Sequence, residues 1–246
     1  MTETKPGVDR VLIDLTISAP ASEVWAALRE PAKVLRWFGW DADSLPAEVD
    51  FIFVQYARAD EAAGVLHFEG TSDRFEVIDE GDTSRLRVVR AAAAESDDWD
   101  DVYEDMTEGW ITFVQQLRFA LERHALAPRR TLFFTAGRSE ERTDARPLEA
   151  LGLSDLTGAS ADQTWARDLP TGDSLRGRVW HASSRQIGLT VDEWGEGLLV
   201  VHDAGAWSLG GGHGAGMAVL TTYGLDEAAF QSLELRWTRW WRGRFG

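Results

Sequence analysis

Histidine is the side chain best suited to moving a proton near neutral pH, and the chain carries five, at positions 67, 124, 181, 202 and 213. None has a second histidine at the close spacing of a zinc-binding helix, so no metal site is expected. His67 and His181 fall in strand-like stretches, where a ring facing a cavity would serve as a proton shuttle and one facing elsewhere would be hydrogen-bonded or exposed. Cysteine is absent, which removes thiolate nucleophiles, zinc thiolates and any disulfide framework. The serines sit in no Gly-x-Ser-x-Gly setting. The run Gly210-Gly211-Gly212-His213-Gly214-Ala215-Gly216 lacks the Lys-Ser/Thr of a phosphate loop and joins two strand-like stretches, so it reads as a connector. No pair of carboxylates is singled out by its surroundings. No catalytic residue is therefore assigned, and no cofactor is expected.

Aromatic residues carry the stronger signal. Trp25, Trp37, Phe38, Trp40, Phe51, Phe53, Phe68 and Trp110 crowd the first half of the chain; with His67, Phe113 and Leu117 they are the candidates to line a cavity for a small hydrophobic molecule. The same residues would equally make a filled core. The C-terminal LRWTRWWRGRFG mixes Trp237, Trp240 and Trp241 with Arg236, Arg239, Arg242 and Arg244, a composition compatible with an interfacial helix or an acidic partner. Packing inside the molecule is the preferred reading, because positive charge is favoured at a helix C-terminus.

The element that must position these rings is the stretch 105–124, DMTEGWITFVQQLRFALERH. Met106, Trp110, Phe113, Val114, Leu117, Leu121 and His124 share one helical face, opposite Glu108, Thr112, Gln115, Gln116, Arg118 and Glu122. Asp105 and Glu108 form a plausible start signal, and Ala127-Pro128 ends the helix. Phe119 lies off the stripe. Such a helix needs a sheet to lie on.

Upstream, Val11, Ile13, Leu15 and Ile17 alternate with polar residues as in a strand with one buried face. Pro20 then opens a short helix with Val24, Trp25 and Leu28 on one face, and Pro31 separates it from a second carrying Leu35, Trp37 and Phe38. The segments EVDFIFVQYA, GVLHFEG, RFEVIDE and RLRVVRA read as an antiparallel meander broken by turns such as Glu80-Gly81-Asp82. Residues 95–105 read as a solvated acidic loop, since Asp97, Asp98, Asp100 and Asp101 lack the glycine turn and distal glutamate of a calcium loop.

The order strand, SAPASEVWAAL, LRWF, meander, EDMTEGWITFVQQLRFAL resembles the SRPBCC (START-like, helix-grip) superfamily, in the branch of activator of heat-shock protein 90 ATPase homologues. The resemblance covers about residues 10–127 and is carried by Ala19-Pro20, Val24-Trp25, Leu28, Trp37-Phe38 and Glu108-Gly109-Trp110. It implies an antiparallel sheet wrapped around a terminal helix, a shape used in that superfamily for lipid and hormone binding, polyketide cyclisation and co-chaperone work. The meander departs from the pattern by being a strand or two short.

The second half repeats the scheme. RTLFFTAG reads as a first strand, residues 147–153 as a stunted helix, and 176–194, 197–204 and 216–224 as further strands; residues 154–174 read as an ordered loop or degenerate helical region. The closing helix has Asp226 as N-cap, Leu225 and Phe230 as a hydrophobic staple, and Phe230, Leu233, Trp237, Trp240 and Trp241 as its stripe.

The expected fold class is therefore α+β, with a START-like unit over 1–128 and a divergent second unit over 129–246. The formal charge of −16 argues against nucleic-acid binding. It is uneven: 26 acidic against 12 basic side chains up to residue 128, and 15 against 13 beyond it. No apolar run approaches membrane-spanning length and no leader-like segment opens the chain, which points to a soluble, cytoplasmic protein. The expected function is non-catalytic binding of a small hydrophobic ligand. A co-chaperone-like module that binds a protein partner is the alternative, and a cyclase- or hydrolase-like enzyme with a cavity acid or base is a further one. Oligomeric state is left open.

Overall fold

The computed structural model describes residues 8–92, 100–137, 146–183, 185–207 and 214–246. The chain divides into two compact units, one comprising Met1–Tyr103 with Gly109–Ala127, the other Glu104–Glu108 with Pro128–Gly246.

In the first unit, β1 (Arg10–Ile17) is followed by α1 (Ala21–Arg29), α2 (Pro31–Val34) and α3 (Leu45–Val49). Strands β2 (Ala57–Asp60), β3 (Val65–Phe68), β4 (Asp73–Asp79) and β5 (Ser84–Arg90) come next, and α4 (Asp100–His124) closes the unit. The five strands lie in the order β1-β5-β4-β3-β2, antiparallel throughout. Ile13 and Ile17 of β1, Leu66 of β3, Phe75 of β4 and Leu86 and Val88 of β5 share one buried core with Val114, Leu117 and Ala120 of α4. The alternation along each strand sends these side chains to the face on which the helix lies. A sheet gripping its terminal helix is the arrangement the sequence implied.

Three local expectations are corrected. Residues 48–55 form no strand: α3 runs into a π-helical turn, Asp50–Gln55. Leu45, Val49 and Phe53, at successive i, i+4 positions, are buried, whereas Phe51 and Val54 are 49% and 45% exposed. A strand would have put Phe51 and Phe53 on the same face. The closing helix starts at Asp100, not Asp105, because carboxylates are favoured in a first turn and the acidic run extends the helix instead of ending it. Nor is α4 buried on one stripe alone, since Thr112, Gln116 and Phe119 are as inaccessible as Leu117. The helix ends where Ala125 and Leu126 turn left-handed and Leu126 N–H reaches back to the Ala120 carbonyl.

The second unit contains β6 (Arg130–Gly137), α5 (Pro147–Ala150), β7 (Thr164–Asp168), β8 (Ser174–Ala182), β9 (Gln186–Val191), β10 (Gly197–Trp207), β11 (Gly214–Thr222) and α6 (Glu227–Phe245). Its sheet has the order β6-β11-β10-β9-β8-β7. The stretch read as a loop contributes β7, paired antiparallel with β8. Asp226 caps α6 by accepting from Ala229 N–H at 2.8 Å. Phe230, Leu233, Trp237, Trp241 and Phe245 bury the helix against Leu132, Leu199, Val201 and Leu220 of the sheet. Trp241 Nε1 adds a 2.8 Å bond to the Thr135 carbonyl. The two halves thus share a plan, strand, small helices, antiparallel meander, long helix, with five strands in one sheet and six in the other among the described residues.

Candidate functional site

The aromatic residues singled out in the sequence meet between the sheet and α4 of the first unit. Trp37 and Phe38, in the turn after α2, lie with their ring centroids 5.6 and 5.0 Å from Phe53. Phe53 is 5.6 Å from Phe68, and Phe68 is 5.1 Å from Phe75 and 5.4 Å from Trp110. Phe113 joins Phe38 at 4.6 Å and Trp40 at 6.3 Å. Most of these contacts are edge-on or tilted, the geometry that ring quadrupoles favour. Trp37 is fixed further by its Nε1 donating to the Ala27 carbonyl at 2.9 Å. Leu117 is fully buried, whereas Trp25, Trp40, Trp110 and Phe113 are only half-buried.

Two candidates fall outside this assembly. Phe51 stands on the outer side of the π-helical turn, its ring 4.1 Å from Tyr56. His67 is exposed, because its neighbours Leu66 and Phe68 take the inner face and alternation turns it out.

Sequence reasoning missed the polar group at the heart of the assembly. Asp73 and Arg90 are register partners on β4 and β5, 2% and 9% exposed. Arg90 Nε donates to Asp73 Oδ1 at 2.6 Å and its Nη2 to Oδ2 at 2.8 Å, while Trp110 Nε1 donates to Oδ2 at 3.0 Å. The bidentate fork fixes the carboxylate, and the carboxylate fixes the indole, whose ring then lies edge-on to Phe75 at 4.9 Å. The missed signal was parity. Asp73 has the parity of Phe75 and Val77, and Arg90 that of Leu86 and Val88, so each strand carries one buried charge on its apolar face.

The second unit holds an analogous cluster built from different elements. Asp173, 8% exposed in the turn before β8, accepts Arg236 Nε and Nη2 at 2.9 and 2.7 Å on Oδ1, and Trp237 Nε1 and Thr171 Oγ1 at 2.9 and 2.8 Å on Oδ2. Here the arginine and the indole both come from the closing helix.

His181 is buried, its Nε2 3.1 Å from Gln186 Oε1, and its ring occupies the space a side chain at Gly188 would fill, 2.2 Å from an added Cβ. Burial, reinforced by the charge of Arg185, lowers the pKa of His202 to about 4. His124 lies against the Phe119 ring, and His213, with residues 210–212 of the glycine-dense run, lies outside the described residues. Among the described residues no group of three or more His, Cys, Asp or Glu is placed to hold a metal ion. Among them, too, no helix is long and apolar enough to cross a membrane.

No protein-family model matches the chain, and no curated protein matches it. Three solved structures are similar over nearly the full length. DynU16, from the dynemicin biosynthetic locus, is 15% identical, covers 98% of this chain and 97% of its own, and gives a TM-score of 0.30. The di-domain ARO/CYC BexL from the BE-7585A biosynthetic pathway is 13% identical over 97% and 95%, with a TM-score of 0.37. The di-domain ARO/CYC StfQ from the steffimycin biosynthetic pathway is 12% identical over 97% and 98%, with a TM-score of 0.31. At scores this low the fold rests on the chain's own sheets and helices.

Proposed function

We propose that the first unit binds a small hydrophobic molecule between its sheet and α4, without acting on it chemically. The observation that carries this reading is the Asp73–Arg90 pair enclosed in a largely apolar interior, beside the cluster of aromatic rings. Burying two charges is costly, and an apolar pair of similar volume would often be as stable or more so. A buried fork that holds one indole in place is better accounted for as the polar end of a binding site, where it orients a ligand that the rings hold by contact. Trp40, Phe113 and Trp110, half-buried and in succession 6.3 and 6.4 Å apart, lead from the surface towards that end. Asp73 is engaged by three donors and His67 faces out, so neither is placed as a free acid or base for a cyclase- or hydrolase-like reaction. A cysteine-free chain fits a reducing, cytoplasmic setting.

A second reading is favoured by a different observation. Phe51, Val54 and Tyr56 are 49%, 45% and 40% exposed on and just after the π-helical turn, an apolar surface suited to a protein partner.

Native mass spectrometry of the protein purified from its own cells separates the two. A retained small molecule whose occupancy drops in Trp110→Phe and Phe113→Ala supports ligand binding. A bound protein released by Phe51→Ser supports the partner reading. If the protein emerges bare and N-phenyl-1-naphthylamine binding is indifferent to Trp110→Phe and Phe113→Ala, the ligand reading is wrong.

A further inference from the structure

A groove of about 300 Å³ opens on the second unit between the first turns of α6, the turn leading into β8 and the 3-10 turn Asp192–Trp194. Its apolar floor is Leu175, Trp194 and Leu233, all nearly inaccessible. It shares Ser174, Leu175 and Glu193 with a wider depression of about 490 Å³ that runs along the β7–β8 hairpin. This volume lies at the lower end of what holds a small organic molecule, enough for one or two rings.

Arg236 forms one wall. Its Nε and Nη2 donate to Asp173, and its Nη1 donates to Ser232 Oγ at 2.6 Å. All three nitrogens are therefore engaged, yet the side chain keeps 41% of its accessible surface. The three bonds hold the guanidinium in one orientation, and a flat π-system stacks on the face of a guanidinium so held. Glu193 forms another wall. One of its oxygens accepts Arg176 N–H at 3.1 Å and the other lies 3.5 Å from Arg176 Nε, beyond a strong hydrogen bond, so the carboxylate retains capacity to accept from a hydroxyl. The groove thus holds charge of both signs: Arg236 is paired with Asp173, and Arg176, its Nε 3.5 Å from Glu193 and 3.6 Å from Asp192, is shared between those two carboxylates. A further carboxylate brought here would meet Glu193, Asp173 and Asp192, and a further cation would meet Arg236 and Arg176.

We propose that this groove is a binding site for a neutral, planar aromatic molecule of one or two rings carrying a hydroxyl group, the ring stacked on Arg236 over Leu175 and Trp194 and the hydroxyl donating to Glu193. The site lies wholly in the second unit and stands or falls apart from the first unit's ligand.

The test is an amide ¹H–¹⁵N titration of the full chain with 2-naphthol, 2-naphthoate and 2-(aminomethyl)naphthalene. 2-Naphthol is expected to give saturable shifts at Ser174, Leu175, Trp194, Ala229 and Ser232, with both charged analogues binding at least roughly tenfold more weakly, the size of one hydrogen bond to a charged acceptor. Ala229 is exposed and lines the groove, so Ala229→Trp fills the space without entering the core and abolishes these shifts at an unchanged melting temperature. Glu193→Ala weakens 2-naphthol and narrows its advantage over 2-naphthoate. The proposal is overturned if 2-naphthoate binds the native chain as tightly as 2-naphthol. Shifts that persist in Ala229→Trp, or that are confined to residues of the first unit, also overturn it.

Discussion

On the proposed reading Asp73 serves both the stability of the first unit and ligand binding, and substitution can separate the two. Asp73→Ala strands the Arg90 guanidinium and removes the acceptor of the Trp110 indole, and breaking a buried pair in this way costs about 3–5 kcal/mol. The double variant Asp73→Leu with Arg90→Met is expected to recover most of that loss in chemical denaturation while still failing to retain a ligand. Recovery of stability together with full ligand occupancy would show that the pair serves the fold alone. His202 supplies a pH dependence at the same scale. Its folded pKa, about 4, lies below the unfolded value near 6.5, so the folded chain binds fewer protons between the two. Its contribution to stability is complete above pH 6.5 and declines as the pH falls towards 4, by at most about 3 kcal/mol. Melting curves between pH 7.5 and 4.5 should fall more steeply for the native chain than for His202→Gln. Parallel curves would mean that the histidine is not buried as described.

Among the elements, the segment from α3 through the π-helical turn is the one whose identity changes which side chains matter. In the helical register Phe53 is interior and Phe51 is not. Phe53→Ala is therefore expected to cost about 3–5 kcal/mol, while Phe51→Ser should stay within about 0.5 kcal/mol. Equal losses at the two positions would restore the strand reading. The helical stripe Leu45, Val49, Phe53 and the proline in its first turn were both present in the sequence. The continuous apolar run Phe51-Ile52-Phe53-Val54 masked them, because periodicity cannot assign so short a run. By contrast, the N-cap and stripe of α6 were legible, since nineteen residues display five turns of the same pattern.

For the molecule as a whole, each unit has its own hydrophobic core, and among the described residues none belongs to both. Leu86→Ala in the first and Leu199→Ala in the second should each cost about 2–5 kcal/mol, as buried leucines do. Combined, the losses should add to within about 0.5 kcal/mol if the protein still unfolds in a single transition. A double variant markedly more stable than the sum predicts would reveal energetic coupling that the separate cores do not provide. By packing, Met1–Tyr103 and Gly109–Ala127 form one unit, and Glu104–Glu108 and Pro128–Gly246 the other.

Local order was written in the sequence: the alternation of β1, the long amphipathic helices, the capping aspartate of α6, and the aromatic residues that gather in the first unit. Such features depend on neighbours within a few residues of one another, and hydrophobic periodicity reports them directly. Only the tertiary structure joined Asp73 to Arg90, 17 positions apart, and Asp173 to Arg236, 63 positions apart. It alone turned His67 outwards and buried Thr112 and Gln116. A charge paired across two strands and a charge left in water look alike in sequence, and strand register together with the docking of a helix decides which of them the chain contains.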